Sequence, residues 1–116
     1  METKHSFAFL DINPLSTGHC LVVPKKHYEQ VFEVSKEELQ DLAEVVRLLS
    51  LKIKKELNPE GLNILQNNAR IANQFVDHVH FHIIPKYENS GLDIVWTVQE
   101  KSKEELTEIQ KKLSLI

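Results

Sequence analysis

His78-Val79-His80-Phe81-His82-Ile83-Ile84 sets three imidazoles at alternate positions of one short segment. In an extended strand alternate side chains share a face, about 6.6 Å apart. The segment therefore predicts a strand over 79–85, with His78, His80 and His82 on one face and Val79, Phe81 and Ile83 buried on the other. A single histidine in such a place is usually a scattered surface residue. Three in strict alternation, in the opposite phase to apolar residues, make a site. Imidazole is the side chain whose ordinary pKa, about 6.5, lets it donate, accept or attack near neutrality. Two chemistries are open to such a face. One is metal chelation, for which Asp77 is the only obvious further ligand nearby. The other, which the shortage of ligands favours, is covalent catalysis at phosphorus, with one imidazole attacking while its neighbours hold phosphate oxygens.

The segments on either side supply the rest of a sheet. Phe7 to Ile12, closed by Asn13-Pro14, and Cys20 to Val23, closed by Pro24 and Lys25-Lys26, read as strands joined by a turn. A link that short makes them antiparallel neighbours. Ser35-Lys36-Glu37-Glu38 has the capping-box pattern. Leu39, Leu42, Val45/Val46, Leu49, Ile53 and Leu57 then repeat at three- and four-residue spacing until Asn58-Pro59-Glu60-Gly61 ends the run. The spacing predicts one long amphipathic helix over 35–57 covering one face of the sheet. Residues 61–66 form a further predicted strand, 67–77 a polar loop, and 92–98 another strand. Ser102 and Glu105 cap a C-terminal helix carrying Leu106, Ile109 and Leu113. The fold class is α+β: a mostly antiparallel sheet with one long helix and a C-terminal helix.

A chain of 116 residues is one domain's worth, here 1–116, and long enough to bury a core without staples. Lys and Arg number 14 against 17 Asp and Glu, a formal charge of −3. That balance argues against a broad grip on nucleic acid or on anionic membrane, but leaves room for one phosphorylated ligand. Cys20 is the only cysteine, so there is no internal disulfide and no Cys-x-x-Cys knuckle. With no apolar signal core and no membrane-length apolar run, the expected location is the cytoplasm, nuclear residence being equally compatible.

The triad segment resembles the signature of the histidine triad superfamily of nucleotide hydrolases and transferases. Phe9-Leu10-Asp11-Ile12-Asn13-Pro14, Gly18 to His27, Asn67-Asn68 and Gln74 resemble further family segments in the family's order. The resemblance implies cleavage at the α-phosphorus of nucleoside phosphoramidates or dinucleoside polyphosphates, through a nucleotidyl-histidine intermediate, with a purine nucleotide substrate. It implies His80 as nucleophile, His82 on the α-phosphate, His78 orienting the nucleophile and His19 assisting the leaving group. Asp11 corresponds to the ribose-binding residue, with Leu10 and Ile12 near base and sugar, Asn67 on ribose or phosphate and Gln74 beside the phosphate. It also implies a homodimer and no cofactor.

Three departures from the family pattern stand out. An N-terminal segment that carries Cys-x-x-Cys in one branch has no counterpart before the first strand. No metal is therefore expected, although His27 and His78 occupy positions that could have completed such a site. Asn73 stands where glycine is usual, and asparagine is the residue best able to imitate glycine's φ. Phe75 replaces a position commonly small or polar. A catalytically weak nucleotide-binding module and a His-rich metal-binding protein are the rival readings.

Overall fold

The computed structural model describes residues 1–115. Four strands, β1 (Ser6–Leu10), β2 (Cys20–Pro24), β3 (Gly61–Gln66) and β4 (Phe81–Lys86), form one sheet in the order β1-β2-β4-β3. Every pairing is antiparallel, so the fold is the α+β arrangement that the strand and helix patterns predict. Helix α1 (Lys36–Leu57) lies between β2 and β3 in the chain, and α2 (Lys103–Lys112) follows the sheet.

Helix α1 runs almost to the predicted limits because both ends are chemically marked. Ser35 accepts from the Glu38 N–H at its start, and Asn58 takes the left-handed conformation at its end, with φ 45°. Its buried residues Leu42, Val45, Val46 and Ile53 recur at helical spacing and pack on one face of the sheet. Ala8, Cys20, Val22 and Ile83 meet them from β1, β2 and β4, closing the core. Asp41 of α1 accepts from both Thr3 Oγ1 and Ser6 Oγ at 2.5 Å, which ties the start of the chain to the helix.

The opposite face of the sheet is left for function. Phe9 pairs with Leu21 and Leu21 with His82, so these three side chains share that face by the period-two rule.

Two predicted strands differ from the structure. The strand expected over 79–85 begins at Phe81, so only His82 of the three histidines is in regular structure. Val79 and His80 precede it because Val79 N–H is drawn to Tyr28 O, outside the sheet. No strand forms over 92–98. Val95, Trp96 and Val98 are exposed, since β4 is already flanked by β2 and β3 and offers the segment no free edge. Helix α2 forms where expected, capped by Ser102, but buries none of its residues.

Candidate active site

The loop from Leu10 to Cys20 is built to carry His19. Asp11 Oδ1 accepts the Asn13 N–H at 2.8 Å, closing an Asx turn, and the Asp11 N–H donates to His19 O at 2.9 Å. Gly18, with φ 91°, brings the chain past α1 at a point where a Cβ would lie 2.5 Å from Leu57 Cδ1. Any other residue would be strained at that φ and would have to push the Leu57 side chain aside. His19 follows, 3% exposed, with Leu15 N–H donating to its Nδ1 at 3.0 Å.

That last bond sets a chain of proton positions. Because His19 Nδ1 is an acceptor, the neutral ring carries its proton on Nε2. His19 Nε2 lies 2.9 Å from His82 Nδ1 and 3.5 Å from Asp11 Oδ2, so the N–H faces two acceptors. His82 Nδ1 is then an acceptor in turn, and the neutral His82 ring is a donor at Nε2. Burial holds His82 well below the ordinary histidine pKa, at about 4, with the charges of His80 and His19 adding to the effect and Asp11 opposing it. Burial also lowers His19, against the pull of Asp11.

His80 has the opposite tautomer. Its Nδ1 is 2.7 Å from the carbonyl oxygen of His78, which can only accept, so Nδ1 bears the proton and Nε2 the lone pair. Among the described residues Nε2 has no protein partner. The two rings, centroids 4.9 Å apart and nearly perpendicular, thus present a nucleophilic nitrogen and a donor side by side.

His78 itself points elsewhere. Its Nε2 donates to Pro24 O at 2.9 Å, leaving Nδ1 to accept from His27 Nδ1 at 2.9 Å. The contact that orients His80 is therefore the His78 carbonyl, not its imidazole.

These groups line a cleft of about 650 Å³ whose walls include Phe9, Asp11, Ile12, Leu21, Val23 and Phe75 with His78, His80 and His82. Asn73 lines it too, in the left-handed conformation with φ 69°, as an asparagine in place of glycine can. Of the residues singled out in the sequence, Asp11, Ile12, His78, His80 and His82 meet here. His19 and Asn67 line an adjoining cleft that shares His82. Leu10 lies on the strand face of Ala8, away from the cleft, and the apolar wall comes from Phe9 instead. Gln74 is 2% exposed. Its Oε1 accepts from Ala69 N–H at 2.8 Å and its Nε2 donates to Glu29 O at 2.6 Å, so both ends of its amide brace the 69–74 turn. The alternation that places Phe9 with Leu21 and Val23 could have found this wall, whereas nothing in the sequence marks the Leu15 N–H.

Two metal arrangements can be tested on the donors. Asp11, His19 and His82 bring one ligand atom each within 4.8 Å of the others. A metal would need the lone pair of His19 Nε2, which would move the proton to Nδ1 and set it against the Leu15 N–H. That trio is a proton network, not a metal cage. His27 and His78 offer two nitrogens, half the four ligands of a structural zinc. Cys20, the one thiol, is buried and donates to Gly18 O, so it does not supply a third.

Residues 1–89 match the family model described as the HIT domain. The chain belongs to the HIT family. An adenosine 5'-monophosphoramidase of Schizosaccharomyces pombe is 48% identical over 114 residues, spanning 97% of this HIT protein and 83% of the relative. A Saccharomyces cerevisiae protein of the same name is 43% identical over 114 residues, 97% and 70% of the two chains. Among solved structures, a HIT-family member from Bacillus subtilis superposes with a TM-score of 0.94 at 37% identity, covering 99% of this chain and 84% of that one. A histidine triad nucleotide-binding protein from Candida albicans gives 0.87 at 40% identity, covering 99% and 84%.

Proposed function

We propose that this HIT protein is a nucleotide hydrolase that cleaves nucleoside phosphoramidates at the α-phosphorus and releases the nucleoside monophosphate. The observation that carries the reading is the opposed tautomers of His80 and His82. The lone pair of His80 Nε2 attacks phosphorus, and the P–N bond to the amine breaks. His82 Nε2–H donates to a phosphoryl oxygen, where negative charge grows in the transition state. His19, one hydrogen bond behind, supports the donor and the proton traffic to the departing amine. Water then cleaves the nucleotidyl-histidine bond and restores His80. Asp11 keeps Oδ2 for the ribose hydroxyls while Oδ1 holds the turn, and Ile12 with Phe9 forms the apolar floor for a purine base. The names of the fungal relatives support phosphoramidates as the substrates. Dinucleoside polyphosphates, cleaved by the same attack, are the second substrate class.

The test is hydrolysis of adenosine phosphoramidate in the presence of a chelator, native protein against His80→Ala, with a diadenosine polyphosphate alongside. Turnover that is indifferent to chelator and reduced at least about 1,000-fold in the variant is expected, because removing a nucleophile removes the covalent route. Undiminished turnover by His80→Ala sinks the reading.

We also propose that two copies pair through α1 and the free edge of β3, in the cytoplasm. Supporting this, β3 is an edge strand, and a groove beside it is lined by Val46, Leu51, Leu62 and Ile64. Leu51 and Ile64 are both more than half exposed. Light scattering on the native protein and on Ile64→Lys checks it: a dimer that the substitution converts to monomer is the expected result. No helix among the described residues is long and apolar enough to cross a membrane.

A further inference from the structure

Cys20 is held by the sheet, where it pairs with Ile83 of β4, but the group that fixes the proton on His19 lies outside it. The Leu15 N–H, 3.0 Å from His19 Nδ1, belongs to a loop that leaves the sheet after Leu10 and rejoins it at Cys20. Loop segments are mobile unless bonds to the surrounding scaffold hold them. Here three successive loop residues are held, and all three partners come from one short stretch, Pro85 to Gly91.

Gly91 N–H donates to Leu15 O at 3.2 Å, Ser16 Oγ donates to Pro85 O at 2.6 Å, and Tyr87 Oη donates to Thr17 O at 2.9 Å. Ser16 is buried, and its own carbonyl accepts from the His19 N–H at 3.2 Å, so the loop closes on itself beside the histidine. The stretch that holds the loop has a fixed shape of its own. Tyr87 N–H donates to Ser90 O at 2.9 Å, turning the chain back after β4. Gly91, with φ 126°, then passes where a Cβ would lie 2.7 Å from Lys86 Cδ and 3.0 Å from Pro85 O. Pro85 belongs to β4, the strand of His82. The strand that carries the ring facing His19 Nε2 thus also anchors the loop that aims the Leu15 amide.

Losing that aim has a definite chemical consequence. If Leu15 turns away, His19 Nδ1 loses its donor and the ring proton is free to occupy Nδ1. His19 Nε2 then faces His82 Nδ1 as an acceptor, and His82 meets it by carrying its own proton at Nδ1. His82 Nε2 is left bare, and the donor to the phosphoryl oxygen is gone. Phe9, Leu21 and Val23, which wall the catalytic cleft, stand on β1 and β2 and do not depend on these bonds. Nucleotide therefore still binds while the chemical step slows.

We propose that Ser16 and Tyr87 are positioning residues, whose hydroxyl groups clamp the His19 loop to the end of β4 and so hold His19 and His82 in the tautomers that the reaction uses. This role rests on the hydrolase reading above and goes beyond it, since neither residue lines the catalytic cleft.

Tyr87→Phe and Ser16→Ala each delete one hydroxyl and keep the rest of the side chain. Each should lower kcat on adenosine phosphoramidate about three- to tenfold, on the scale of one neutral hydrogen bond, with KM changed less than about twofold. The double variant should lose more than either alone. Long-range proton–nitrogen correlation spectra of the free variants, recorded well below their unfolding transitions, should show a population of His19 protonated at Nδ1 that the native protein lacks. Should the buried Ser16→Ala fail to fold, Tyr87→Phe, at a half-buried position, carries both measurements. Bonds that only stabilise the fold would lower the unfolding temperature and leave kcat and the ring-nitrogen spectra as in the native protein. That result overturns the inference and leaves the hydrolase reading standing, as does a loss confined to KM. Native protein that turns over neither adenosine phosphoramidate nor a diadenosine polyphosphate overturns both.

Discussion

His19 Nε2 lies 2.9 Å from His82 Nδ1, and the proton between them belongs to His19 because the Leu15 N–H already occupies His19 Nδ1. One backbone amide in the loop before the second strand thereby dictates which nitrogen of a histidine in β4 can donate. At neutral pH the ring nitrogens should show it directly. Long-range proton–nitrogen correlation spectra should give a protonated Nε2 on both His19 and His82 and a protonated Nδ1 on His80. A protonated Nε2 on His80 would remove its nucleophile and with it the proposed chemistry.

Stability should fall with acid in a window set by His82. Its pKa is held at about 4, chiefly by burial, whereas in the unfolded chain it titrates near the ordinary value of about 6.5. Between those two values the unfolded state binds more protons than the folded one, so stability rises with pH there. The contribution is fully present above about pH 6.5, is lost as pH falls towards 4, and changes no further below. His19, also lowered, acts in the same direction. Urea unfolding measured from pH 4 to 8 should show this slope, and His82→Gln should flatten it. A slope unchanged in the variant would mean that other groups carry the acid response.

How much of this was legible beforehand varies with the kind of signal. Helix α1 was readable almost to the residue because Ser35, Asn58 and the recurring apolar positions all mark it. The convergence of Asp11, His80 and His82 followed from motif and order. What eluded the sequence were features set by contacts between distant segments. The strand expected over 79–85 begins only at Phe81 because Tyr28 O captures the Val79 N–H. Leu10 and Phe9 exchange places because the face of β1 is decided by α1 packing on Ala8, which a five-residue strand does not announce. The stretch over 92–98 reads as a strand, but β4, the strand it follows, is already flanked by β2 and β3.

Gln74 should behave as a brace, with consequences for stability. Replacing it with Leu leaves the Ala69 N–H and the Glu29 carbonyl without their partners in a buried setting, a loss of about 2–3 kcal/mol. Ala69 already holds φ 75°, unusual for a residue with a side chain, and depends on such support. Chemical denaturation of Gln74→Leu measures the cost. A variant as stable as the native protein but slower in turnover would instead mark Gln74 as a phosphate contact.

The histidines of the triad should be unequal when removed one at a time. His80→Ala deletes the atom that attacks. His78→Ala keeps the carbonyl that accepts from His80 Nδ1 and deletes only a ring bound to Pro24 O and to His27 Nδ1. Those two bonds tie the 78–80 segment to the end of β2 and to the stretch that follows it, so their loss loosens the cleft wall without touching the reacting atoms. The expected result is a drop in kcat of about tenfold for His78→Ala, on the scale of about one or two neutral hydrogen bonds, against at least about 1,000-fold for His80→Ala. His27→Ala, which removes one of the same two bonds from the other side, should match His78→Ala or fall short of it. Pre-steady-state kinetics on the three variants separates the cases, since only loss of the nucleophile abolishes the burst of amine release. If His78→Ala were as damaging as His80→Ala, the imidazole of His78 would have to act on the substrate, and its bonds to Pro24 and His27 would have to break during turnover.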